Sequence, residues 1–491
     1  MTKTNGVILQ YFEWYLPNHP HLWKLLKQDA KHLADIGITA VWIPPAYKGA
    51  AGNQDVGYGV YDLYDLGEFP QKGSIETKYG TKEELLDAIN ALHMYDIDVY
   101  ADIVFDHKMG ADATEQILAV SVDPRDREEI TSNEETIEAW TKFTFPGRNG
   151  KYSDYIWNWD DFDGIDYDQA TKENRIFRFY GKDWDQQVDG EYQNYDYLMG
   201  ADIDFQNPDV IQELNRWGSW FVDTTKIDGF RMDAVKHIHF GFYKNWLEKL
   251  RKDTGKELFS VGEYWSGDIN KLIHYMQVDD YMMSLFDVPL HYHFYDASRS
   301  NGHYDMSKLL DGTLVSYDEF KAVTFVDNHD TQIGQSLESW VLDWFKPMAY
   351  AIILLRQQGY PCIFYGDYYG IPHNQISGLR DTLDILLYLR KNLAYGIQHD
   401  YFDDPHVVGF TRSGDAKHTG GLAVLLSDQM GGQKKMCIDT SYAHVCYRDC
   451  LHPEKDSVIL DENGCGNFLV DSGSLSIYIP DTDGFFDKTP V

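Results

Sequence analysis

Along this chain short apolar runs alternate with longer stretches in which apolar residues return every three or four positions, the alternation of buried strands with amphipathic helices. Residues 7–12 read as a first strand, 23–35 as a helix closed by Gly37, and 39–43 as a second strand stopped by Pro44 and Pro45. The stretch 55–62, holding Gly57, Tyr58 and Gly59, is too rich in Gly and Tyr for a regular element. A helix over 81–93 follows, with Thr81 and Glu84 spaced as a capping box, and leads into an apolar strand over 97–105.

From residue 106 to 207 the alternation breaks: the stretch is dense in Asp, Trp, Tyr, Asn and Gly and holds only short strand-like pieces such as 175–179. It reads as an inserted domain. The pattern resumes with a helix over 209–223, a strand within 227–237, a helix over 243–252 and a strand over 258–261. Runs at 322–326 and 362–365 then flank a helix over 347–357. Strands alternating with helices over this length predict an α/β fold, a (β/α)8 TIM barrel over 1–105 and 208–393, interrupted after its third strand by an irregular β-rich domain over 106–207. Beyond 393 the short alternating runs 407–411 and 422–426, separated by Gly, Asp and Asn, predict a C-terminal antiparallel β-sandwich over 394–491.

Composition narrows the ligand. A formal net charge of −35 repels nucleic acid and anionic membrane surfaces, so the ligand is expected to be neutral or cationic. Aromatic residues make up 15% of the chain, which suits neutral sugars whose C–H faces stack on rings. No run is long enough to span a bilayer and the N-terminus carries no signal-peptide pattern, so a cytoplasmic protein is expected, or a secreted one if the sequence has been trimmed; a monomer is expected. Cys437, Cys446, Cys450 and Cys465 cluster late without paired spacing and are expected to be free buried thiols, like Cys362.

The chemistry centres on 227–237. Side chains alternate along a strand, so Arg231 and Asp233 share one face and Phe230 and Met232 the other. On this stretch alone the pair reads either as a structural ion pair or as a carboxylate held ionised for nucleophilic work. In a β/α barrel the site lies at the carboxyl ends of the strands, which brings together 102–107, 231–237, 263–265 and 327–330. Asp233, Glu263 and Asp330 would then surround one pocket, and crowded carboxylates raise at least one pKa. Glu263, beside Trp265, suits a general acid, and Asp233, beside Arg231, a nucleophile. This is the two-carboxylate arrangement of glycoside hydrolysis.

The segments 102–107 (DIVFDH), 229–237 (GFRMDAVKH), 262–263 (GE) and 325–330 (FVDNHD) resemble the four signature regions of the α-amylase family, glycoside hydrolase family 13, in order and spacing. Residues 198–204 resemble an additional signature, and the likeness is closest to bacterial liquefying enzymes. The resemblance implies retaining endo-hydrolysis of α-1,4-glucan, with Asp233 as nucleophile, Glu263 as acid/base and Asp330 as the carboxylate that grips sugar hydroxyls. It further implies Tyr58, His107, Arg231, Lys236, His237, Trp265 and His329 around the substrate. Taken singly, each histidine would be read as a satisfied core residue. A glucanotransferase or a maltooligosaccharide-forming relative on the same fold, and more remotely a non-catalytic glucan-binding protein, are the rival readings.

The same resemblance implies calcium held by Asp106, Asp196, Asp202 and the carbonyl of His237, although the family usually has Asn at position 106. Asp163, Asp185 and Asp204 match a linked metal cluster that could hold a second calcium or a sodium ion. Gln206 replaces another Asp of that cluster. As isolated residues these aspartates would be solvated loop charges. Thr331, Gln332 and Ile333 offer no cation for chloride, so no chloride dependence is expected. At the C-terminal junction Gly302, Tyr304 and Asp428 match a further calcium site of liquefying relatives. Pro405 and His406 stand where a His-Asp pair is needed, so that site is expected to be missing.

Overall fold

In a computed structural model of the protein, which describes residues 5–486, eight parallel strands close into a barrel. They are β1 (Ile8–Gln10), β2 (Ala40–Ile43), β3 (Asp98–Ile103), β4 (Gly229–Met232), β5 (Phe259–Gly262), β6 (Ser284–Phe286), β7 (Ala322–Phe325) and β8 (Tyr360–Phe364). Each pairs with its neighbours in sequence, and β8 closes on β1 with Ile8 opposite Cys362. The helix Leu22–Ile36 stops at Gly37, whose φ of 98° is the left-handed conformation that glycine adopts without strain. Thr81 and Glu84 form the expected reciprocal capping box on Lys82–His93.

The two faces of β4 are used differently. Phe230 points outward onto Trp246, with ring centroids 5.2 Å apart, and Phe105 meets Trp217 at 5.3 Å, so aromatic packing locks helices Pro208–Thr225 and Phe242–Thr254 onto this side of the barrel. Each such edge-on pair contributes about 0.5–1.5 kcal/mol beyond its buried area. Arg231 points inward and is fully buried. A side chain at Gly229 would meet the carbonyl of Phe259 at 2.2 Å, so glycine is what lets β4 and β5 approach here.

The region 106–207 is more regular than its sequence suggests. It carries an antiparallel sheet with strands Ala113–Asp123, Glu135–Lys142, Phe162–Asp168 and Glu173–Phe179, where only short pieces were expected. In Glu135–Lys142 the buried face holds only Ile137, Ala139 and Thr141, too little apolar signal to mark a strand. Strand β6 is likewise absent from the sequence reading, and Val60–Asp62, expected to be irregular, pairs with Lys48–Gly49.

Beyond Leu393 a six-stranded antiparallel sheet packs with a two-stranded ribbon, Gly432–Cys437 against Cys465–Val470. The ribbon's register puts Cys437 opposite Cys465, and the two form a disulfide. This corrects the expectation of free thiols for that pair, while Cys362, Cys446 and Cys450 are unbridged. The two residues lie 28 positions apart, so no local spacing signals the bond. Among the described residues no helix is long and apolar enough to cross a membrane.

Candidate active site

Arg231 organises the carboxyl end of the barrel. The β3–β4 register sets it directly opposite Asp102, and its Nη1 lies 3.0 Å from Asp102 Oδ1 and 2.5 Å from Asp233 Oδ1. Its Nη2 lies 2.6 Å from Glu263 Oε2. Charge-assisted pairs of this kind are the strong ones, and a planar guanidinium fixes their geometry. Trp42 lies against the guanidinium at 5.0 Å and donates its Nε1–H to Asp102 Oδ2 at 3.0 Å. The residue after Asp233, Ala234, has φ 49°, a conformation costly for a residue with a Cβ. In that conformation its N–H reaches Glu263 Oε2 at 3.3 Å.

One guanidinium serves four crowded carboxyls, and the shortfall appears as protonation. Burial, with Asp233 and Asp330 nearby, pushes Glu263 up to about 8 despite Arg231. Burial, with Asp233 and Asp102, pushes Asp330 up to about 7, and burial with Asp233 takes Asp102 to about 6. Glu263 therefore carries its proton at neutral pH, as a general acid requires. Asp233 takes the shortest contact to Arg231 and is only 8% exposed.

The rim is built from rings. Asp55 accepts hydrogen bonds from the N–H groups of Gly57 and Gly59 at 2.9 and 3.2 Å, which curls the 55–62 loop so that Tyr58 points into the site. Tyr58 donates to Asp102 Oδ2 at 2.8 Å, and its ring lies on His329 with centroids 5.0 Å apart. Gln10 Nε2 donates to His329 Nδ1 at 3.0 Å, and the other ring nitrogen faces Asp330 Oδ2 at 3.2 Å. Burial and then Arg231 hold His329 well below its ordinary pKa, so it is neutral.

Of the other expected contact residues, His107 gives Nδ1 to Asp106 at 2.9 Å and Nε2 to the carbonyl of Tyr58 at 2.9 Å. Both of its nitrogens are thus engaged within the protein. Burial opposes the charged ring, but Asp106 and this carbonyl outweigh it and raise its pKa. Lys236 pairs with Glu191 at 3.2 Å, and His237 Nδ1 donates to Tyr195 O at 2.8 Å. Trp265 packs on His291, Tyr292 and Phe325 and donates to Tyr292 Oη at 2.9 Å. The sequence reading missed Trp42, against Arg231, and Trp14, whose ring lies 5.8 Å from that of Tyr58; neither carries a pattern beyond that of ordinary core aromatics.

The second acidic group lies where the 106–207 region meets the barrel. Carboxylate oxygens of Asp163, Asp196 and Asp202 lie within 4.8 Å of one another, all buried. Both carboxylate oxygens of Asp163 and of Asp185, one of Asp202 and one of Asp106 are buried without a hydrogen-bond partner. Burial and mutual repulsion raise Asp163, Asp196 and Asp202 well above the ordinary carboxylate range, and burial with Asp204 takes Asp185 to about 7. Oxygen-only donors aimed at one point fit a hard cation such as calcium.

Asp204 differs from its neighbours, because Lys182 at 2.7 Å and the N–H groups of Gln206 and Asn207 at 2.7 and 3.2 Å engage its oxygens. Asn194, missed in the sequence, shapes the loop by accepting from Asp196 N and donating to Asp185 O, both at 2.9 Å. At the C-terminal junction the carbonyl of Gly302 accepts from Gln429, and Asp428 Oδ1 faces His406 Nδ1 at 3.1 Å.

A (β/α)8 barrel with paired carboxylates on a buried arginine at its carboxyl end defines a glycoside-hydrolase-type active site. The profile of the alpha amylase catalytic domain matches residues 26–405, and the chain belongs to this family. It is 53% identical over 479 residues to an alpha-amylase of Geobacillus stearothermophilus, covering 97% of this chain and 87% of that protein. It is 44% identical over 489 residues to the cytoplasmic alpha-amylase of Escherichia coli (strain K12), covering 97% and 99%. A solved alpha-amylase of Geobacillus thermoleovorans, complexed with acarbose, shares the fold with a TM-score of 0.63 at 17% identity, over 98% of this chain and all of that one.

Proposed function

We propose that the protein cleaves internal α-1,4-glucosidic bonds of α-glucans and retains the anomeric configuration. The observation that carries this is the single guanidinium of Arg231 holding Asp233 on one nitrogen and Glu263 on the other. Two carboxyls on one guanidinium are close neighbours, which fits double displacement, where they lie about 5–5.5 Å apart, better than inversion at roughly 6.5–9.5 Å. Glu263 gives its proton to the departing glycosidic oxygen while Asp233 attacks the anomeric carbon. Glu263, now ionised, takes a proton from water, which cleaves the glycosyl ester and restores both groups. Asp330, beside His329, faces the same space and would hold sugar hydroxyls.

Asp163, Asp196 and Asp202, with Asp106 and Asp185 alongside, would hold calcium, whose charge offsets theirs and ties the 106–207 region to the barrel. Water and a second sugar can both resolve the glycosyl ester, so hydrolysis is separated from transfer by product analysis at high maltooligosaccharide concentration. The first products from a blocked maltooligosaccharide are expected in the α configuration and at several chain lengths. Products of β configuration would reject the assignment. The similarity to a relative named as cytoplasmic supports a cytoplasmic location, which cell fractionation tests.

A further inference from the structure

In the segment that leaves β1, alternate side chains turn to the same side. Gln10, Phe12 and Trp14 all reach His329, by a hydrogen bond of 3.0 Å and by ring centroids at 4.9 and 6.1 Å. Trp14 also lies 5.8 Å from Tyr58, and the planes of Trp14, Tyr58 and His329 are within 14° of parallel. His329 is fully buried, whereas Trp14 and Tyr58 are half-buried, so the open part of this ring assembly consists of Trp14 and Tyr58. A tryptophan aligned with a sugar-stacking tyrosine offers a second flat apolar face to a chain of glucose units.

The same segment is bolted to the loop that carries Asp330. Trp14 N donates to Gln332 Oε1 at 3.0 Å, and Gln332 Nε2 donates to Glu13 Oε2 at 3.2 Å. Glu13 also accepts from Tyr15 N at 2.7 Å, and Tyr15 Oη accepts from Gln335 Nε2 at 2.9 Å and donates to Ile333 O at 3.3 Å. Gln332 follows Asp330 by two residues and is fully buried, with both ends of its amide used on this segment.

We propose that Trp14 is a substrate-binding residue that extends the Tyr58 platform by a further glucose unit, and that Gln332 is the positioning residue that holds it in register with the Asp330 loop. This rests on the glucan reading of the cleft. Trp14→Leu keeps an apolar side chain but loses the ring face, and Trp14→Phe keeps a ring. With maltoheptaose, Trp14→Leu is expected to raise KM about tenfold with kcat within about threefold, and Trp14→Phe to keep KM within about threefold of the parent, because the lost contact is made equally in ground and transition states. Gln332→Leu is expected to raise KM several-fold on its own and to add nothing in the Trp14→Leu background, the non-additivity of residues that act as one unit.

Equal KM values in the Leu and Phe variants, or a fall in kcat at unchanged KM, would overturn the stacking role. Full additivity of the Gln332 and Trp14 changes would overturn the positioning role. If Trp14→Leu does not fold, isothermal titration of maltoheptaose against Glu263→Gln with and without Trp14→Gln, which also removes the ring face, decides: affinity is expected to fall about tenfold, and no change refutes the proposal. Parent turnover on amylose tests the glucan reading separately.

Discussion

Two groups of buried carboxylates lie at the carboxyl end of this barrel, and they are compensated in different ways. Around Arg231 the charge is offset from within: one guanidinium reaches Asp102, Asp233 and Glu263, and the part it does not offset is a proton on Glu263. Among the described residues no lysine or arginine pairs with Asp163, Asp185 or Asp202, and both carboxylate oxygens of Asp163 and of Asp185 and one of Asp202 are buried without a hydrogen-bond partner. A buried, uncompensated carboxylate costs several kcal/mol, so the second group fits a cation supplied from solution. On the proposed function, the first cluster is the one that shares and moves a proton and the second the one that needs a fixed positive charge.

The largest expected effect breaks the first cluster at its reacting atoms. Asp233→Asn and Glu263→Gln should each lower kcat by about three orders of magnitude or more, while circular dichroism and chromatographic behaviour stay those of the parent. The parent's rate against pH should be bell-shaped, with an alkaline limb near the value of about 8 to which Glu263 is pushed. Above it the acid has lost its proton and the rate falls. Near-parental turnover in either variant would reject these catalytic roles, as would an alkaline limb that survives in an active Glu263→Gln enzyme.

Removing the guanidinium turns the first cluster into a copy of the second. Arg231→Met leaves Asp102, Asp233 and Glu263 buried without their partner, and breaking such pairs typically costs about 3–5 kcal/mol. Loss of Arg231 raises Asp102 and Glu263 above the values of about 6 and about 8 that they hold beside it, so the folded variant binds more protons than the folded parent, and the penalty grows as pH rises through about 6. Denaturant unfolding of Arg231→Met at pH 5 and pH 8 checks this. A penalty that is equal at both values, or larger at pH 5, would show that Arg231 is not what compensates the cluster.

Much of this contrast can be read in the residues. Arg231 and Asp233 are two apart on a strand, and Glu263 follows the next strand directly, so strand periodicity and the barrel rule place all three at one site. Gly37 and the Thr81/Glu84 pair mark helix ends because capping is local chemistry. What escapes the sequence depends on partners far along the chain. Strand β6 has three residues, too few to show alternation, and is defined by pairing to β5 and β7. Trp14 acquires its place from Gln332, and Cys437 meets Cys465 only through the ribbon register. Asp204 looks in sequence like the aspartates expected to hold metal, but Lys182, 22 residues away, takes one of its oxygens.

Chelation acts on the second cluster alone. Burial and Asp204 hold Asp185 up at about 7, and Asp163, Asp196 and Asp202 are also raised, so without metal the folded state carries extra protons between about pH 4 and 7. Stability is then lost as pH rises through that window, and a bound cation, which displaces those protons, restores it. Calcium at a hundred times its Kd should add about 2.7 kcal/mol. The Tm difference between calcium-loaded and EDTA-treated protein should be larger at pH 8 than at pH 5. Hydrogen exchange in EDTA should rise first in residues 185–203. A gap that narrows with rising pH, or exchange that rises first in the C-terminal sheet, would break the assignment.

The smallest effect is expected where a third acidic position, Asp428, meets the barrel. It resembles the second cluster in holding a buried oxygen without a partner, but its other oxygen faces His406 at 3.1 Å, the nearby Asp404 accepts from the N–H groups of His406 and Val407, and Gln429 donates to the carbonyl of Gly302. Calcium prefers six to eight oxygen ligands, and here an imidazole and a side-chain amide take the places that oxygens would need. Pro405, with its fixed φ, limits how far the backbone beside His406 can adjust. Asp428→Asn should therefore leave the number of calcium ions bound per chain unchanged, whereas Asp202→Asn should lower it. Atomic-emission counting of calcium after gel filtration measures both. A lower count in Asp428→Asn, or a calcium ion ordered between Gly302, Tyr304 and Asp428 at about 2.3–2.6 Å in a crystal, would show that the junction binds metal after all.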